Sequence, residues 1–136
     1  GFTYSGHPIA CAAAMATLDI MQSDNIFQTV HDHSAPYMQK RWAELGKHPI
    51  VGHTRGLGMF GSMELVRNKE TRERLAPDQV SGGVCRDLSI ANGLVMRAVG
   101  DSMIISPPLI CNHAEIDTII ERVTQALDQT AEYFSV

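Results

Sequence analysis

Between Asn112 and Leu127 an apolar residue recurs every three or four positions, and no other feature constrains the fold as tightly. Ile116, Ile119, Ile120, Val123 and Leu127 line one stripe of a helix, and such a stripe must be buried against another layer. Asn112, with Glu115 three residues on, has the form of a capping box, which fixes where the helix starts. Three further helices are expected. One covers residues 7–23, with Ser5 as its cap, Pro8 in its first turn and Asp24-Asn25 as its stop. A second runs to about Leu45 through Phe27, Val30, Met38 and Trp42. Pro36 predicts a kink or a restart capped by Ser34, and Gly46 and Pro49 end the run. The third, about 79–92, would place Val80, Val84, Leu88 and Ala91 inward, with Gly93 closing it. Short strands fall between the helices. Ile50–Val66 reads as two strands bending at Arg55-Gly56, with Gly56, Gly58 and Gly61 permitting close backbone approach. Leu94–Ala98 and Met103–Ser106 read as a pair turning at Gly100-Asp101 and ending at Pro107-Pro108. The charged stretch 67–78 reads as a solvated excursion. Helices alternating with short strands predict an α/β or α+β fold, a small sheet with helices packed on it. The alanine-rich first helix, with no strand before it, fits that layer poorly, and its small residues suit close packing against another element.

The 136 residues allow one ordinary domain. A net charge of -4 gives no basic footprint for nucleic acid or anionic lipid. The longest nearly apolar stretch, Pro8–Asp19, is too short to span a bilayer, and no signal peptide is expected. Cys11, Cys85 and Cys111 are odd in number and lack metal-like spacing, so a reduced, cytoplasmic protein is expected. His7 and Cys11 share a helix face, and His31 and His33 diverge. Neither pair approaches the roughly four ligands of a closed zinc site, so no metal is expected.

Two places carry chemistry. Thr3 and Ser5 precede a helix N-terminus, where unpaired N–H groups and the dipole suit an anion; ordinary capping is the alternative. Arg97 lies in the apolar run Leu94-Val-Met-Arg-Ala-Val99. Its guanidinium needs a carboxylate ligand, an acidic partner or an edge position in water. For Arg55 a structural ion pair is expected.

The opening Gly1-Phe-Thr-Tyr-Ser-Gly-His-Pro-Ile-Ala-Cys-Ala-Ala-Ala14 resembles the motif that follows the catalytic lysine in class III aminotransferases. Further agreement comes in the family's order: Val51-Gly-His-Thr-Arg-Gly-Leu-Gly-Met through Glu64-Leu-Val, Cys85-Arg-Asp-Leu, and Leu94-Val-Met-Arg-Ala-Val-Gly-Asp101 into Ser106-Pro-Pro-Leu109. The last stretch and the 66–72 excursion are most similar to the omega-type subgroup that moves amino groups from omega-amino acids or amines to pyruvate. The resemblance implies a fold-type I enzyme using pyridoxal 5'-phosphate, homodimeric, with the cofactor site shared across the interface. Residues 1–24 would trail the large cofactor domain, and 25–136 would form the small C-terminal domain with a mostly antiparallel sheet. Thr3, with the Phe2 backbone beside it, would reach the cofactor phosphate of the other subunit. Arg97 would pair with the substrate carboxylate and swing away for amines lacking one. In the family the catalytic lysine lies upstream of the motif, and Lys40, Lys47 and Lys69 do not correspond to it. The chain is therefore expected to be a fragment, inert alone. Two rivals remain: a class III relative such as an aminomutase or decarboxylase, and a non-catalytic module binding an anion or a partner protein.

Overall fold

A computed structural model describes residues 2–78 and 80–136. Gly1, which opens the aminotransferase-like motif, and Gln79, the expected start of the third helix, lie outside the described residues.

The first helix, α1 (Pro8–Ser23), has the expected extent, but Ser5 does not cap it. His7 holds the N-cap position, and the Ser5 hydroxyl instead accepts the Phe2 N–H at 3.0 Å, closing a turn. No residue of α1 is buried. Asn25, in the left-handed region at φ 50°, ends the segment, and α2 (Ile26–Thr29) begins a new direction. The predicted break at Pro36 takes a different form from a capped restart. Proline has no N–H to return to the carbonyl four residues back, and the chain widens into a π turn over Val30–Ser34, in which Ala35 N–H bonds the Val30 carbonyl. Ser34 stays helical, and its hydroxyl donates across the fold to the Cys111 carbonyl at 3.2 Å. Helix α3 (Ala35–Glu44) continues, and a 3-10 turn at Leu45–Lys47 ends it.

Strands β1 (Val51–Leu57) and β2 (Phe60–Asn68) turn at Gly58-Met59, with Gly58 at φ +60°, rather than at Arg55-Gly56. Gly56 and Gly61 face each other across the hairpin because α3 lies on them. A Cβ on Gly61 would fall 2.7 Å from the Trp42 ring, and one on Gly56 would fall 2.3 Å from Gln39 Oε1. These glycines therefore record close packing, not a bend. Trp42 Nε1 donates to the Ser62 carbonyl at 3.0 Å, and Gln39 Nε2 donates to the Gly58 carbonyl at 2.8 Å. Within the charged excursion a two-residue strand, β3 (Glu73–Arg74), pairs with β2. Strands β4 (Arg97–Val99) and β5 (Ser102–Ile105) complete an antiparallel sheet in the order β1-β2-β5-β4.

Helix α4 (Ser81–Ala91) turns a different face inward from the one expected. Ser81, Gly82, Cys85 and Ser89 are its buried residues, while Val80 is half exposed and Ala91 exposed. Val84 and Leu88, also expected inward, are half-buried, so the face is rotated, and distance explains the rotation. A Cβ on Gly82 would stand 2.2 Å from the Gly100 carbonyl oxygen, so only small side chains fit where α4 meets β4 and α5 (His113–Tyr133). Helix α5 carries the predicted capping box: Asn112 accepts the Glu115 N–H at 3.0 Å, and Glu115 accepts the Asn112 N–H at 2.8 Å. Its stripe is buried at Ile116, Ile120, Val123 and Leu127. The core between helices and sheet holds Trp42, Leu65 and five methionines, Met38, Met59, Met63, Met96 and Met103. Among the described residues no helix is long and apolar enough to cross a membrane.

Candidate functional site

Helices cover one side of the sheet and leave the other open. Along β2 the burial alternates, with Gly61, Met63 and Leu65 inward and Ser62 and Glu64 half-buried on the opposite side. Cross-strand partners share a face, so the register extends this side across four strands. Arg55, Ser62, Ile104 and Arg97 form one row, and His53, Glu64, Ser102 and Val99 form the next. Leu57 and Phe60 extend it at one corner, 85% and 46% exposed.

Arg97 sits at the edge of this face, on β4, exposed between Val95 and Val99, which are themselves 80% and 51% exposed. Among the described residues the ion pairs of arginine involve Arg41, Arg74 and Arg86, and Arg97 belongs to none of them. The ion pair expected for Arg55 is likewise absent among the described residues, because its row neighbour on β2 is Ser62 and no carboxylate stands within ion-pair distance.

A network behind the β4–β5 turn holds the strand that carries Arg97. Asp101 Oδ1 accepts Ser81 N–H at 2.9 Å and the Ser81 hydroxyl at 2.8 Å, and its Oδ2 accepts Arg74 Nε at 2.8 Å. One carboxylate thus joins the turn, β3 and the start of α4. Sequence reading misses it, because Arg74 looks like part of a solvated excursion and Asp101 like a turn residue. Partial burial raises the Asp101 pKa, but the Arg74 and Ser81 contacts outweigh that and leave it below its ordinary 3.8.

At the other end of the chain, Phe2 and Thr3 are exposed in the turn before α1. Phe2 N–H is taken by Ser5 Oγ, while the Thr3 hydroxyl and N–H have no partner among the described residues. No acidic residue occurs before Asp19. A phosphate would meet donors here and no opposing carboxylate, so the residues present fit such a group. Separate elements carry Thr3 and Arg97: α1 packs on α2, and β4 packs on β5 and α4. Clefts of about 450 Å³ beside Leu18 and Phe27, and about 480 Å³ between Arg41 and Glu121, contain neither residue. His7, the N-cap of α1, and Cys11, in its first turn, are both exposed, and no group of metal-ligating side chains occurs among the described residues. Lys69 is engaged with the Gly46 carbonyl at 2.8 Å.

A family model described as aminotransferase class-III matches residues 1–127. A putrescine–pyruvate aminotransferase of Pseudomonas aeruginosa is 52% identical over 131 residues, covering 96% of this chain and 28% of that protein. Among solved structures, a transaminase with L-ala superposes with a TM-score of 0.89 at 35% identity, covering 98% of this chain and 31% of the other. The omega transaminase from Pseudomonas jessenii in complex with PMP superposes at 0.88 with 30% identity, covering 99% and 30%. The chain therefore spans less than a third of the length of the relatives it matches.

Proposed function

The chain belongs to the class III aminotransferases, and from that premise we propose that it forms the C-terminal part of a homodimeric enzyme moving amino groups from amines or omega-amino acids to pyruvate. Residues 1–24 are assigned to the trailing end of the large cofactor domain, and 25–136 to the small domain. Enzymes of this class use pyridoxal 5'-phosphate, which when bound supplies the electron sink for amino transfer. In this reading the Thr3 hydroxyl, with the N–H groups at the head of α1, holds the phosphate of the cofactor in the other subunit. Phe2 supports the turn, since its own N–H is committed to Ser5.

One observation carries the reading: an arginine without an ion-pair partner among the described residues, flanked by two exposed valines, on the open face of a sheet whose other face is packed. A guanidinium in that position can recognise a carboxylate with two parallel N–H donors. Arg97 then orients the keto acid, while an amine lacking a carboxylate leaves the guanidinium to solvent.

In the full-length enzyme, Arg97→Ala is expected to lower kcat/KM for pyruvate and omega-amino acids by about 30- to 1,000-fold, corresponding to roughly 2–4 kcal/mol. Simple amines should lose much less, and Arg97→Lys should recover only part of the loss. The half-reactions must be followed separately through cofactor absorbance. Equal losses for the two substrate classes would remove Arg97 from the substrate site.

A further inference from the structure

Arg97 can recognise a carboxylate only as well as its strand is aimed, and the sheet by itself holds β4 lightly. The strand is three residues long and lies at an edge, paired among the described residues with β5 alone. Its other support is the Gly100-Asp101 turn, which meets three neighbours. Helix α4 begins at Ser81 behind Val80, whose apolar side chain cannot cap it. Asp101 supplies the missing acceptor from another element, taking the Ser81 N–H and hydroxyl on Oδ1. Its carbonyl accepts the Leu65 N–H of β2 at 2.9 Å, and the Gly100 carbonyl fits against Gly82, where a Cβ would leave no space. The other carboxylate oxygen, Oδ2, is held by Arg74 from the charged excursion. Arg74 stands opposite Val66 of β2, and its Nη1 donates to the Pro77 carbonyl at 3.4 Å, so the guanidinium is steadied on both sides. Its side chain is 53% exposed and lies outside the core.

We infer that Arg74 is a positioning residue for keto-acid recognition, fixing the β4–β5 turn through Asp101 and so the direction in which β4 presents Arg97. The inference rests on the reading of Arg97 given above and extends it to a residue of the excursion. Arg97 and Val99 project to one side of β4, and Ala98 between them faces Gly82 on α4. A tilt of the turn is therefore carried along a short strand that has no partner on its outer edge to resist it. A bidentate pair needs both N–H donors in line with the carboxylate, so it tolerates little misdirection. A misplacement of about 1 Å can cost as much as about 100-fold in rate. An amine without a carboxylate makes no use of the guanidinium and is indifferent to its aim.

The test uses the full-length enzyme with pyridoxal phosphate bound, and follows single half-reactions with pyruvate and with butylamine through cofactor absorbance. Arg74→Ala should lower kcat/KM for pyruvate by about 5- to 30-fold, mainly through KM, and leave butylamine within about twofold. Arg74→Lys keeps a donor for Oδ2 and should recover much of the loss. Asp101→Asn, which weakens the same contact from its other side, should show the same split between substrates. In an Arg97→Ala background, Arg74→Ala should cost pyruvate nothing further, because it acts through Arg97. Equal losses for both substrates would show that Arg74 holds the fold and not the aim, and would overturn the inference. So would no loss for pyruvate, or a loss that persists in full without Arg97. If Arg97→Ala itself costs both substrates equally, the reading of Arg97 fails, and this inference with it.

Discussion

At the β4–β5 turn, one carboxylate fastens the strand that presents Arg97. Asp101 is only 17% exposed at its side chain, and it accepts from a backbone N–H, a hydroxyl and a guanidinium belonging to two other elements. Its folded pKa lies below 3.8, so ionised Asp101 favours the folded state. This stabilisation is fully present above the unfolded value and is lost as pH falls through the lower folded value. Asp101→Asn should cost about 1–3 kcal/mol at pH 7. Thermal melts of both proteins at pH 7 and near pH 3 would check this, with a gap that narrows in acid. A gap unchanged by pH would mean that the charge contributes nothing. At this scale, Arg97 is legible in the sequence because a guanidinium inside an apolar run is conspicuous. Asp101 is not, because its neighbours come from elements that only the fold brings together.

Among the elements, α5 and its cap are readable from periodicity, and so is the β4–β5 turn at Gly100-Asp101, since Gly100 sits at φ +59°. Helix α4 defeats the same reasoning. Its inward face is chosen by proximity to Gly100, so serine, glycine and cysteine are buried while Val80 and Ala91 face outward. A hydrophobic pattern reports burial only where there is room for large side chains. Two adjacent glycines allow a direct comparison. Gly82→Ala must push a backbone oxygen away and should destabilise by about 1–3 kcal/mol. At Gly83 an added methyl group would meet nothing within 4 Å, so alanine should be tolerated there. It should gain about 0.4–1 kcal/mol from reduced freedom of the unfolded helix segment. Denaturant midpoints of the two variants should therefore move in opposite directions. A shared direction would mean that the α4–β4 contact is looser than the geometry indicates.

For the molecule as a whole, the core begins after α1. The buried apolar residues run from Ala35 to Leu127, whereas residues 2–20 are all exposed, with Ile9, Met15, Leu18 and Ile20 among them. An apolar surface of that kind marks an interaction site, which agrees with assigning this helix to a neighbouring domain. The methionines divide along the same line. Five are at most 4% exposed in the core, while on α1 Met21 is half-buried and Met15 is 59% exposed. Thioethers convert to polar sulfoxides where oxidant can reach them, so peroxide becomes a map of what is covered. In the 136-residue chain, mass spectrometry should find Met15 oxidised first, with the five core residues spared until the fold opens. In the full-length enzyme a protected Met15 would indicate that another surface lies over α1. Early oxidation of the core five in unheated chain would contradict the packing described. Oxidative damage would then fall first on the exposed face of α1, before it reaches the residues that hold the core together.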